Sequence, residues 1–148
     1  MHCVLLDDDS VYCEELVKAL EAEIPRLRGK IEVIPTEQDF RERLSNPERF
    51  SADFFILDVM VHWADPSEEI LPAEETVEGG YFRAGIRCLQ RIQEWKSDMP
   101  VIVQSALEPE KILSNVREKN LSEKKLHVVK KGSNLNDLLF AIKAIMNR

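Results

Sequence analysis

Short continuous runs of apolar residues alternate along this chain with stretches in which apolar positions recur every three or four residues. The first pattern reads as a strand buried on both faces, and the second as one face of a helix. Cys3-Val-Leu-Leu6 is the first strand, and Tyr12, Leu16, Leu20 and Ile24 mark a helix that Pro25 ends. Ile31-Glu-Val-Ile34 predicts a second strand, and Thr36 stands where it caps a helix carrying Phe40 and Leu44 that stops before Pro47. Phe54-Phe-Ile-Leu57 is the most apolar run and is flanked by acids, which predicts a strand in the middle of a sheet. After Asp58 the pattern lapses for about twenty residues, then resumes near Gly80 as a helix with Phe82, Ile86, Leu89, Ile92 and Trp95 on one face. Val101-Ile-Val103 is the fourth strand, followed by a poorer helix from Pro109 to Glu118. Leu126-His-Val-Val129 is the fifth, and a last helix from Leu135 turns Leu138, Leu139, Ile142 and Ile145 inward. Strands alternating with helices in this way predict an α/β domain, a parallel sheet covered on both faces.

Length and charge narrow the classes. With 148 residues the chain suits a single domain, 1–148, with enough core to need no disulfides. Its net charge of −7 gives no basic surface for a phosphate backbone, so no direct nucleic-acid partner is expected. Cys3, Cys13 and Cys88 are odd in number and form no C-x-x-C pair, which fits reduced, buried thiols. Without a signal-like N-terminus or an apolar run of membrane-spanning length, the expectation is a cytoplasmic protein with no membrane partner. The interval from Trp63 to Gly80 is compositionally distinct, holding Asp65, Glu68, Glu69, Glu74, Glu75 and Glu78 and no base. It reads either as a solvated surface or as a lid or docking surface, with Trp63 and Tyr81 as anchors and Gly79-Gly80 as a hinge or a helix start.

Ligands of open parallel α/β sheets bind outside the carboxyl ends of the strands, so the residues there are the candidates for chemistry. Strand one ends in Asp7-Asp8-Asp9, strand three in Asp58, strand four in Ser105-Ala106 and strand five in Lys130-Lys131. Carboxylates on Asp7, Asp8 and Asp58 at about 5 Å would repel by about 3 kcal/mol per pair at an effective dielectric of 20. Such a cluster must hold a proton or a cation, and hard oxygen donors favour Mg²⁺. A carboxylate beside a metal can attack phosphorus, and Asp58 is best placed for it. Lys130 and the Ser105 hydroxyl would then meet the phosphoryl oxygens.

These residues resemble the receiver domains of two-component response regulators, including the single-domain chemotaxis type, over nearly the whole chain. The acidic pair is Asp7-Asp8 within Leu5-Leu-Asp-Asp-Asp-Ser10, and the phosphoacceptor setting is Phe55-Ile-Leu-Asp-Val-Met60. The hydroxyl-plus-small pair is Ser105-Ala106, and the lysine after two valines is Lys130. The resemblance implies a flavodoxin-like doubly wound (βα)5 fold, strand order 2-1-3-4-5, with an acidic insertion over about 61–80. It implies Mg²⁺ held by Asp7, Asp8, Asp58 and the backbone carbonyl of Met60, phosphorylation of Asp58, and a rotameric switch at His127. The implied partners are a histidine kinase or phosphotransfer protein and a downstream protein target, with the chain a monomer or a phosphorylation-dependent dimer. Three features depart from the family. His62 stands where proline is common, Lys130 is followed by Lys131-Gly132 rather than proline, and the acidic interval lengthens a loop that is usually short.

Each candidate also has an ordinary reading. Asp7 and Asp8 could serve the first helix N-terminus, though Asp9 or Ser10 is the better cap. Lys131 reads as a solvated neighbour, a choice resting on the valines before Lys130, and His127 as either a satisfied histidine or the switch. The main functional alternative is a degenerate receiver acting as a non-phosphorylated interaction module. A haloacid-dehalogenase-type phosphohydrolase expects Asp-x-Asp, which Asp58-Val-Met60 lacks, and no phosphate-binding glycine loop with Lys-Ser or Lys-Thr is found.

Overall fold

The computed structural model describes residues 1–46, 48, 50–64, 83–132 and 134–147, and in them five strands alternate with five helices. They are β1 (Cys3–Leu6), α1 (Ser10–Glu23), β2 (Ile31–Ile34), α2 (Glu37–Ser45), β3 (Phe54–Asp58), α3 (Ala84–Trp95), β4 (Val101–Ser105), α4 (Pro109–Glu118), β5 (Leu126–Lys130) and α5 (Leu135–Met146). All strand pairs are parallel and the sheet order is β2-β1-β3-β4-β5, the flavodoxin-like order that the resemblance implied.

Continuous apolar runs make these strands because both faces of the sheet are covered. Val4, Leu6, Phe55, Leu57, Val101 and Val103 pack on one side against α2, α3 and α4 through Phe40, Leu89, Ile92 and Ile112. Their strand neighbours Cys3, Leu5, Phe54, Ile56 and Ile102 pack on the other side against α1 and α5 through Leu16, Leu20, Leu138 and Ile142. Neighbouring positions on a strand therefore serve opposite layers. The three cysteines are free and buried, and burial pushes the Cys13 thiol up to about 12.

Helix starts follow the local sequence. Asp9 caps α1, accepting from the Tyr12 N–H at 3.0 Å, and Thr36 caps α2, accepting from the Asp39 N–H at 3.2 Å. The Glu37 and Gln38 amides at the start of α2 donate to the carbonyls of His62 and Trp63 at 2.9 and 2.8 Å, which fastens the chain beyond β3 to that helix. Buried Glu37 then takes Arg87 of α3 in a two-pronged pair at 2.7 and 2.9 Å.

The strands outrun their apolar cores. Asp58, Ser105 and Lys130 are the last residues of β3, β4 and β5, so the sheet pairing itself fixes their backbone. No described helix is long and apolar enough to cross a membrane. The acids of the 61–80 insertion, with Gly79, Gly80, Tyr81 and Phe82, lie outside the described residues.

Candidate functional site

The acids converge because β1 and β3 are adjacent and in register, Leu6 opposite Leu57, so that both strands end at one edge. Asp7, Asp8 and Asp58 each present a carboxylate oxygen, and these oxygens lie within 4.8 Å of one another. Asp7 and Asp58 are almost completely buried, at 1% and 4% exposure. Asp7 Oδ1 accepts from the Asp9 N–H at 2.9 Å, and Asp58 Oδ1 from the Met60 N–H at 3.3 Å. Burial holds both carboxyls above the usual aspartate range, and the hydrogen bonds and nearby cation only partly oppose it. A crowded set of hard oxygen donors that resist ionisation together fits a small divalent cation such as Mg²⁺.

The lysine that enters this pocket is Lys131, not Lys130. Lys131 Nζ donates to Asp7 Oδ2 at 2.7 Å and to Asp58 Oδ2 at 3.0 Å. Burial works against its charge, but the Asp7 hydrogen bond and the Asp58 charge outweigh that and hold its pKa above the ordinary lysine value. Lys130 instead pairs with Glu108 at the head of α4. The cause is the alternation of the sheet. Asp7, Asp58 and Lys131 share the side of Leu5, Ile56 and Val129, whereas Lys130 follows Val128 to the other side. Beyond the end of β5 the Lys131 N–H still donates to the Ser105 carbonyl at 2.7 Å, which keeps this alternation intact.

Val128 packs against the α2–α4 layer. His127 is part-buried and lines a cleft with Asp137 and Phe140 of α5, so the pocket's geometry does not bring it to the acids.

Ser105 is buried at the end of β4, its Oγ accepting from the Leu107 N–H at 3.2 Å. Met60 follows Asp58 closely, with its N–H engaged as described. Two further residues complete the surroundings, His62, noted in the sequence only as a departure from the family, and Gly85, which the sequence reading passed over. His62 donates its backbone N–H to Asp8 Oδ2 at 3.1 Å and sets its ring Nδ1 against the same oxygen. Gly85 donates its N–H to the Val59 carbonyl at 2.9 Å, and a Cβ built there would stand 2.2 Å from the Asp58 carbonyl oxygen. An isolated glycine in a helical pattern was the available signal. Trp63, expected as a loop anchor, has its ring under the Arg41 guanidinium at 5.1 Å.

No protein-family model and no curated protein matches the sequence. Solved structures do match its fold. A response regulator receiver protein from Sinorhizobium medicae is similar at TM-score 0.65 and 13% identity, over 99% of this chain and 94% of that one. The BeF3-activated DrrB receiver domain is similar at TM-score 0.64 and 19% identity over the whole of both chains. RcsB from Salmonella enterica, bound to a promoter in the presence of the phosphomimetic BeF3⁻, is similar at TM-score 0.65 and 17% identity, over 99% of this chain and 98% of that one. The chain therefore resembles response-regulator receiver domains, and has their fold from end to end.

Proposed function

We propose that this chain is a receiver in phosphorelay signal transduction, which takes a phosphoryl group on Asp58 in a Mg²⁺-dependent reaction and thereby changes partner binding. The observation that carries it is the buried Asp58 carboxylate, held among two other acids and one lysine at the carboxyl edge of a parallel sheet. Its donors are a histidine kinase or phosphotransfer protein, and its target is a downstream protein.

In this reading an Asp58 carboxylate oxygen bonds to phosphorus, the bond from phosphorus to the leaving group breaks, and the leaving group departs with the electron pair. The Lys131 ammonium donates to the phosphoryl oxygens. Asp7, Asp8, Asp58 and the Met60 carbonyl would hold Mg²⁺, which would supply positive charge toward the incoming phosphoryl group. Asp58 has to be ionised to act, and cation binding favours the ionised form that burial opposes. The DrrB receiver domain is BeF3-activated and RcsB is bound to a promoter in the presence of the phosphomimetic BeF3⁻, which supports the same use of this fold.

Mass spectrometry after incubation with acetyl phosphate and Mg²⁺ tests the reading. One added phosphoryl group is expected on the parent and none on Asp58→Asn. A second reading, a non-phosphorylated interaction module, is favoured by the hold of His62 on Asp8, which engages an oxygen of one of the three clustered acids. An unmodified parent protein would count against the first reading and favour this one.

A further inference from the structure

The aromatic ring of Tyr12 faces the ammonium of Lys131, with Nζ 4.3 Å from the ring centroid. In the sequence Tyr12 is only one apolar position on α1, and a leucine would fill the same place against the core. A leucine would not attract a cation.

A lysine ammonium has three N–H donors. Two of those on Lys131 go to Asp7 Oδ2 and Asp58 Oδ2, and the ring offers its negative face to the same charge. The ring is itself tethered. The Tyr12 hydroxyl donates to Gln104 Oε1 at 3.1 Å, and its backbone N–H is tied to the Asp9 cap at 3.0 Å. Gln104 is 1% exposed and lies opposite Asp58 in the β3–β4 register, so the tether is anchored one strand away from the phosphoacceptor. The other arm of its amide has no hydrogen-bond partner among the described residues, so the tyrosine hydroxyl is what the amide engages.

Resting on the phosphoacceptor reading above, we propose that Tyr12 is a positioning residue for Lys131. Its tethered ring holds the ammonium at the pocket when Asp58 gives an oxygen to phosphorus and its carboxylate charge passes to the phosphoryl group. One of the two ion pairs that fix Lys131 is then altered, while the ring contact persists through the transfer. Lys131 is thereby directed to the phosphoryl oxygens and kept from extending into solvent.

Tyr12→Phe keeps the aromatic face and Tyr12→Leu removes it. By NMR, the Lys131 ε-methylene protons are expected upfield of ordinary lysine values in the parent and in Tyr12→Phe, and at ordinary values in Tyr12→Leu. With acetyl phosphate and Mg²⁺, Tyr12→Phe is expected to label within about twofold of the parent and Tyr12→Leu about fivefold more slowly. Ordinary Lys131 shifts in the parent would overturn the proposal, whatever the variants do. So would equal labelling of the Leu and Phe variants from a parent that labels. A parent that takes no phosphoryl group defeats the phosphoacceptor reading separately, because the shift measurement is made on the unphosphorylated protein.

Discussion

Lys130 and Lys131 are neighbours of identical chemistry, and the pleat of β5 gives them opposite environments. Lys131 lies between two buried carboxylates, and Lys130 reaches an exposed glutamate. Replacing each by methionine should therefore separate them. Lys131→Met is expected to slow acetyl-phosphate labelling about a hundredfold, the scale of losing a donor to developing charge in a dry site. Lys130→Met should stay within about twofold, as befits an exposed ion pair. Comparable losses in both, followed by mass spectrometry, would refute the assignment. The residue types of the pocket were legible in the sequence, because acids, a hydroxyl and lysines stood where strands ended. Which of two lysines turned inward was not, since that depends on where β5 stops pairing, and the pairing runs one residue beyond the strand through the Ser105 carbonyl. The reach of Tyr12 to Lys131 was hidden for a related reason. It joins residues far apart in the chain through tertiary packing, with no local motif.

Among the elements, the junction of β3 with α3 carries the greatest constraint. A Cβ at Gly85 would meet the Asp58 carbonyl oxygen at 2.2 Å and the Val59 Cα at 2.7 Å, and both are backbone atoms that cannot turn aside. Gly85→Ala is expected to destabilise by about 1–3 kcal/mol, seen as a lower urea midpoint, despite alanine's better helix propensity. An unchanged or higher midpoint would show that α3 can shift at little cost. Strand and helix existence came readily from periodicity. Cys3–Leu6, Ile31–Ile34 and Pro109–Glu118 match their expected bounds, and Thr36 caps α2 as its position suggested. The ends of β3, β4 and β5 were read short because Asp58, Gln104, Ser105 and Lys130 are polar, although parallel pairing continues through them. The fastening of His62 and Trp63 to α2 could not be read either, since backbone carbonyls leave no mark on residue type.

Across the whole molecule, the pocket opposes folding unless its charge is balanced. Asp7 and Asp58 hold protons more tightly in the folded chain than the ordinary value of 3.8, chiefly through burial. The folded state then binds more protons than the unfolded one, so their contribution to stability falls as pH rises above that value. Lys131 acts in the same sense but only at alkaline pH, where stability that it supplies below 10.5 is lost as pH climbs through its raised pKa. For the metal-free protein at neutral pH, Asp58→Asn should raise the melting temperature by about 2–4 °C, equivalent to about 1 kcal/mol at this size. The advantage should shrink as the pH approaches 4 and as Mg²⁺ is added. A lower melting temperature for Asp58→Asn in the metal-free protein would mean that the Lys131 pairing outweighs the burial of charge.

The absent side chain at Gly85 has a mechanical corollary. Helix α3 rests flush on the backbone at Asp58 and Val59 with no clearance to give, so on the function proposed above the nucleophile would be mounted on a rigid floor. Were Asp58 phosphorylated as proposed, a rearrangement would fall to the opposite wall, where β4 and β5 release into the turns holding Leu107, Glu108 and Gly132.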